Sequence, residues 1–406
     1  LIVSKALLEI MKKIPEKALI SLLTLALLGS CTTGRSKDAL ESEWSHLTAV
    51  TTLKCKPWPL KESELDVSYM AADATQNGGF VAGIRLRNGS RMPVFAKTEG
   101  SVNLSADDLI PLPIGYDAFV LAPLEVGSGA LAFVIQNKKD RAWLEVRSVK
   151  DNQLAGRMAT SLPMEAETGR LVSVSNGWWL QVNHSDEEAS YVFVSVSPDA
   201  KWQFNISSFQ SRSRYASLVG NQNGTSAYVI ENVRSSKDAN VSNFSITNLD
   251  PSGSFKATVK FSLPTKGGME SWSTTMLDKR LMIASVRGDS MVGQGVLLVA
   301  SLDPTSSPAQ IIWQKEFPFA DVHVGEPVWL SNGNQGFVTL MQWVDSEGVL
   351  SRVKVDGAGA TQLPDVGVFE RGAILASGYL GPKDGVGAFR YREKDLWKYK
   401  LCKLSL

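Results

Sequence analysis

Histidine and cysteine are scarce in this chain, and neither sign of charge dominates. Three histidines and three cysteines occur in 406 residues. His46, His184 and His323 have no second His or Cys at metal-ligand spacing, so no zinc or other metal site is expected. Lys plus Arg number 42 against 41 Asp plus Glu, a net charge of +1. No basic block gives nucleic-acid binding electrostatic support, and no acidic tail is present. No apolar run reaches the roughly 20 residues that a membrane-spanning helix needs. A helical hydrophobic period is missing too.

Catalytic motifs are equally sparse. There is no Gly-x-Ser-x-Gly elbow, and no Gly-rich phosphate loop between a strand and a helix. "GDSMVG", Gly288 to Gly293, is similar to the nucleophile block of GDSL-type hydrolases. It lies in a late hairpin loop, and "DVH" at Asp321 to His323 lacks the partner spacing, so it reads as a turn. "DPSGS" at Asp250 and "VDGAGA" at Val355 lack the alternating carboxylates of a calcium loop. Glu187-Glu188 read as loop charges. No catalytic residue and no cofactor are expected.

What the chain does have begins near its start. Lys12, Lys13 and Lys17 precede a short apolar run, Ala18 to Leu28, which ends in small residues and Cys31. A basic segment, a short apolar core and a small-residue exit describe a secretory signal peptide. Leu28-Gly29-Ser30-Cys31 resembles the bacterial lipobox, an aliphatic residue and two small ones before an obligatory cysteine. The resemblance implies cleavage before Cys31 and acyl chains on that residue. Two or three such chains make a stable anchor where one is marginal. Thr32 stands where lipoproteins retained in an inner membrane usually carry Asp, which favours the outer membrane. The alternative is an ordinary signal peptide with a chance cysteine. The expected organisation is a signal peptide over 1–30 (with the true start at Met11 or at Leu1), a polar lipidated tether over 31–46, and one folded body over 47–406.

That body reads as all-β. Hydrophobic residues make up 44% of the chain, ordinary for a globular core. Glycine or a turn followed by an apolar strand recurs at "GGFVAGIRL" (Gly78), "GALAFVIQ" (Gly129), "GWWLQVNH" (Gly177), "TSAYVIENV" (Thr225), "RLMIASVRG" (Arg280), "GFVTLMQWV" (Gly336) and "GAILASGYL" (Gly372). Each is followed at hairpin spacing by a second strand, such as "AWLEVRSV" at Ala142 or "GVLLVASL" at Gly295. A third set closes several units, at Lys201, Phe255 and Gln310. A period of about 50 residues with three or four strands per unit predicts a single β-propeller. Seven blades are the expected number. The uneven intervals leave six or eight open, with a sandwich pair or a solenoid as other architectures.

"ASLDPTSSPAQIIWQKEF", Ala300 to Phe317, resembles the turn of quinoprotein-type propellers, with weaker copies at Val196 and Thr247. Lipoproteins with such repeats include the scaffold subunit of the outer-membrane β-barrel assembly machinery. The expected Thr-Gly is replaced by Thr305-Ser306. The similarity implies fold only, because fold does not imply function.

A propeller must join its ends. "LTAVTTLKCKPW" (Leu47 to Trp58) and "LWKYKLCKLSL" (Leu396 to Leu406) are both strand-like. Placed in one terminal blade, they bring Cys55 and Cys402 within disulfide range; the alternative is two free thiols. Eleven tryptophans remain to be explained. Trp178 and Trp179 are adjacent on a strand and point to opposite faces. They read as core between blades, or with Trp313, Trp329 and Trp343 as an aromatic platform for sugar or peptide. Two functions stay open. One is a membrane-anchored, non-catalytic lipoprotein that scaffolds an envelope protein partner. The other is a carbohydrate- or peptide-binding receptor or hydrolase using the central funnel.

Overall fold

The computed structural model describes the backbone of strands from Lys54 to Leu404, most turns between 153 and 361, and side chains within 131–363. Cys31, His46 and the lipobox-like segment lie outside the described residues, as does His323. The described residues belong to one unit, Thr51–Leu406. All of its regular structure is strand. β1 (Lys54–Pro57) comes first. One sheet then joins β2 (Met70–Thr75), β3 (Gly78–Arg87), β4 (Ser90–Thr98) and β5 (Ile110–Pro111). The next holds β6 (Ala118–Pro123), β7 (Ala130–Lys138), β8 (Arg141–Ser148) and β9 (Leu154–Arg157). A third holds β10 (Glu167–Val174), β11 (Gly177–Asn183), β12 (Ala189–Val196) and β13 (Trp202–Ser211). It is followed by β14 (Ala216–Gly220), β15 (Ala227–Val233), β16 (Val241–Leu249) and β17 (Phe255–Pro264). Then come β18 (Ser271–Leu277), β19 (Arg280–Asp289), β20 (Gln294–Asp303) and β21 (Gln310–Phe319). The sixth has β22 (Val328–Ser331), β23 (Gly336–Val344), β24 (Glu347–Val355) and β25 (Ala360–Phe369). The last comprises β26 (Ile374–Leu380), β27 (Gly385–Glu393) and β28 (Leu396–Leu404), completed by β1.

Among the described residues these are seven four-stranded antiparallel sheets. The first strands touch from sheet to sheet in the order β2, β26, β22, β18, β14, β10, β6. The first strands therefore line the axis, and the fourth strands form the rim. The fold is a β-propeller.

The core lies between the sheets, and strand geometry explains why. Successive side chains point to opposite faces, so a single residue step moves a side chain from one intersheet layer to the next. On β11 and β12, Leu180, Val182, Val192 and Val194 pack with Phe133, Leu144 and Val146 of the preceding sheet. Their neighbours Trp179, Tyr191 and Phe193 pack with Leu218, Val229 and Leu249 of the following one. The rule repeats on β19, where Leu281 and Ile283 belong to one layer and Met282, Ala284 and Val286 to the other. Both faces of the middle strands are thus covered. β12 is buried continuously from Ala189 to Val194 rather than alternating.

The turns between third and fourth strands share one device. Asp303 accepts hydrogen bonds from the backbone N–H (2.9 Å) and hydroxyl (2.6 Å) of Thr305. Asp250 accepts the same pair from Ser252, at 2.8 and 2.7 Å. Asp356 accepts from the N–H groups of Ala358 and Gly359. Asp250, Asp303 and Asp356 recur at one constant interval along the chain; Ser197 stands one interval earlier, and its hydroxyl closes the turn on the Lys201 backbone instead. An acidic or hydroxyl side chain that binds the backbone two residues on is a local turn former. This gives the turn motif a structural cause without invoking a ligand.

One element of the sequence periodicity is corrected. "GAILASGYL" is in step with the second strands by pattern, yet it forms β26, a first strand. The second strand of that sheet is β27. The last sheet borrows its fourth strand from the N-terminal end, so the C-terminal segment carries only three.

Candidate functional site

Two regions can meet a ligand in a propeller: the axis and the rim. At the axis, short first strands are tied to one another by polar side chains. The Arg170 guanidinium on β10 donates to Ser217 Oγ on β14 at 2.8 Å. Ser217 in turn shares a 2.8 Å hydrogen bond with Thr274 on β18. Thr275 and Ser331 of β22 are 3.2 Å apart. Glu167, Arg170 and Ser173 are exposed along β10. These contacts join blades at the centre and hold Arg170 there as an exposed cation.

The titratable groups with shifted pKa values lie elsewhere. Hydrogen bonds from Thr305 hold the Asp303 carboxyl below the usual range. Lys201 and Ser197 do the same for Asp199. Burial lowers the His184 pKa, opposed by Glu188; its Nε2 lies 2.6 Å from Ser190 Oγ. Burial raises the Tyr191 phenol, which shares a 2.6 Å hydrogen bond with Ser211. Glu145 on β8 is fully buried, but both carboxylate oxygens are occupied, by Arg147 at 2.8 Å and Arg157 at 2.7 Å. That arrangement is an ion cluster fixing β8 to β9. Among the described residues, no group of three or more His, Cys, Asp or Glu could hold a metal, and no helix is long and apolar enough to cross a membrane.

The structure separates the tryptophans. Trp179 has no exposed surface; its indole N–H donates to the Asp250 carbonyl at 3.1 Å and its ring lies against Phe193. Trp178 points the other way, stacked on Trp202 at 5.9 Å and near Phe133. Trp329 on β22 donates to the Ser273 carbonyl at 3.3 Å, bridging neighbouring first strands. Trp313 sits on β21 at the rim. Trp343 belongs to β23, and its side chain lies outside those described. The described four fall into three intersheet layers, Trp178 in one, Trp179 in the next, and Trp313 and Trp329 together in a third, so they do not share one aromatic platform.

Trp313 borders an open groove of about 650 Å³ between β21 and the β24–β25 hairpin, with Lys315, Lys354, Asp356 and Leu363. Lys315 Nζ donates to the Ala360 carbonyl at 3.0 Å and so ties the two sheets. The Trp313 indole nitrogen is buried without a hydrogen-bond partner.

The rim also carries a feature the sequence pattern does not show. Pairing between third and fourth strands slips in five consecutive sheets, β9, β13, β17, β21 and β25 each carrying extra residues. On β21, Ser301 faces Trp313 and Leu302 faces Ile311, which leaves Ile312 as the extra residue. Its neighbours then turn to opposite layers, Ile311 to one and Trp313 to the other. Six large apolar side chains are exposed among the described residues. Four of them, Leu154 (46%), Ile206 (45%), Phe255 (43%) and Ile312 (43%), lie at or beside these irregularities on four successive fourth strands. The available signal was local: an apolar residue out of step with its neighbours, as in "QIIWQ".

No protein-family model and no curated protein matches the sequence. Solved structures similar in backbone include prolyl oligopeptidase B from Galerina marginata, at 10% identity and a TM-score of 0.47, covering 80% of this chain and 46% of that one. A puromycin hydrolase aligns at 11% identity and a TM-score of 0.36, covering 84% and 62%. A polysaccharide lyase aligns at 9% identity and a TM-score of 0.45, covering 83% and 89%. The chain thus spans about half the length of the first protein and under two thirds of the second.

Proposed function

We propose that this chain is a lipid-anchored, non-catalytic β-propeller of the bacterial cell envelope that holds a protein partner at its rim. The observation that carries the reading is the run of exposed Leu154, Ile206, Phe255 and Ile312 on four successive fourth strands. Large apolar side chains left exposed at the corresponding outer strand of successive sheets are candidates for contact with a partner. The irregular pairing beneath them also blunts each sheet edge against unspecific strand addition. Recognition by apolar side chains on a protected edge favours a defined partner over edge-to-edge aggregation.

The anchoring half of the proposal rests on the lipobox-like Leu28-Gly29-Ser30-Cys31. In this reading 1–30 is removed, Cys31 is acylated, 31–46 is the tether and 47–406 is the propeller. Thr32 supports the outer membrane as destination. Labelled palmitate should enter the native chain and not the Cys31→Ser variant, which should leave the membrane fraction.

The partner half is tested in the native host with a photo-crosslinking residue at position 206 or 312, and at exposed Asp199 as the control. Both rim sites should capture the same envelope protein, and the control should not. Capture of nothing at the rim, with turnover of a cell-wall polymer by the purified chain, would overturn the proposal. That outcome would favour the second reading, a receptor or hydrolase for envelope carbohydrate or peptide at the axis. The specific observation behind it is Arg170, exposed on a first strand and held by Ser217. Arg170→Ala would then abolish binding and turnover of that polymer, while Ile312→Ser would leave both unchanged.

A further inference from the structure

The register of the terminal sheet sets two cysteines opposite each other. β1 pairs with β28 so that Cys55 faces Cys402, between Lys54↔Lys403 and Lys56↔Leu401. Residues facing one another in an antiparallel pair lie on the same face of the sheet. Their Cα atoms are about 4.5 Å apart at a non-hydrogen-bonded site and about 5.5 Å at a hydrogen-bonded one. Both spacings fall within the range a disulfide bridges, roughly 4.4–6.8 Å. A register shift of one residue would put the two on opposite faces. Only three cysteines exist in the chain, and these two, from its far ends, meet at one rung.

The place where they meet is weak without a covalent link. β1 has four residues and four register pairs, at the outer edge of the last sheet. One rung, Lys54↔Lys403, sets like charges directly opposite, which disfavours pairing. Pro57, paired with Lys400, has no N–H to give to the ladder.

We propose that Cys55 and Cys402 form a disulfide that fastens the N-terminal strand to the C-terminal sheet and so locks the ring. The oxidant is a disulfide of the thiol–disulfide exchange class, protein or glutathione. The thiolate of one cysteine attacks it and releases one reduced thiol; the other cysteine then attacks the mixed disulfide and releases the second. Two protons and two electrons leave the pair, and the oxidant disulfide becomes two thiols. The inference does not depend on which partner the rim holds.

The test uses the full chain, folded and reduced, then exposed to excess glutathione disulfide under native conditions and denatured with an alkylating agent. The expected product has neither Cys55 nor Cys402 alkylated, is about 2 Da lighter than the dithiol, and yields a Cys55–Cys402 crosslinked peptide on proteolysis. Reduction should lower its Tm by roughly 5 °C, and Cys402→Ser should abolish that difference between reduced and oxidised samples. Full alkylation of both thiols after oxidation would overturn the proposal. So would a bridge to Cys31, or disulfide-linked dimers in place of the intramolecular bond.

Discussion

Two adjacent strands, β12 and β13, come from one sheet and are only a turn apart, yet they obey different rules. β12 is buried on both faces from Ala189 to Val194, because a neighbouring sheet covers each side. β13 keeps Trp202 and Phe204 partly covered by the preceding sheet but exposes Gln203, Asn205 and Ile206. The middle of each sheet supplies cohesion between blades. The rim only partly shares that duty, so its sequence is free to carry irregular pairing and exposed apolar residues. Stability and recognition are therefore expected to separate along the strand order within a sheet.

The sharpest test of the cohesive half is Trp179→Ala. The substitution removes a fully buried ring, its 3.1 Å hydrogen bond to Asp250 and its contact with Phe193. Large-to-small changes of this kind cost about 4 kcal/mol, so the urea midpoint should fall markedly. A loss under about 1 kcal/mol would mean that the layers between sheets are not the cohesive element.

A smaller effect is expected where the rim does pack. A Cβ added at Gly156 of β9 would lie 2.5 Å from Trp202 Cγ and 2.6 Å from its Cβ. These are the near atoms of the indole, not a flexible tip, so the ring cannot swing away cheaply. Gly156→Ala should cost about 2 kcal/mol through overpacking. Combining it with Trp202→Ala should cost less than the sum of the two single changes, which a double-mutant cycle would read.

The same contrast decides what could be seen in the sequence. Second and third strands are long, apolar and introduced by glycine or a tight turn, as at β11, β15 and β23, and their pattern gives the propeller. First strands such as β14 (ASLVG) and β22 (VWLS) are short and lean on hydroxyl groups and backbone carbonyls at the axis. They carry too little hydrophobic pattern to register, whereas β26 (ILASGYL) is apolar enough to fall into step with the second strands. At the rim, fourth strands are visible but their faces are not. One extra residue such as Ile312 reverses which layer its neighbours enter, and alternation cannot anticipate that. The tryptophans illustrate the limit: strand parity sends Trp178 and Trp179 to opposite faces, but only the sheet order shows that each face meets a different blade.

His184 gives a pH-dependent handle at the end of a middle strand. Burial lowers its pKa from 6.5, so the folded state favours the neutral ring. Its contribution to stability is fully present above the unfolded value of 6.5 and is lost as pH falls from there through the lower folded value. A Tm series from pH 7.5 to pH 5 should show this decline, and His184→Gln should flatten it. The effect should be smaller than either packing change, because the group is partly open to solvent and Ser190 still offers its hydroxyl to the neutral ring.

The smallest thermodynamic effect is expected at the positions with the largest proposed functional one. Ile206 and Ile312 are each more than two fifths exposed, at 45% and 43%. Ile312 is the residue left over in the β20–β21 ladder, so replacing it changes no neighbour's register. Ile206→Ser and Ile312→Ser should each shift unfolding by no more than about 0.5 kcal/mol, while abolishing capture of a partner by a crosslinker placed at the other site. If Ile312→Ser instead destabilises the chain as strongly as Gly156→Ala, the residue is contributing to cohesion. The division between a cohesive middle and a recognising rim would then fail at the strand where it is drawn most clearly.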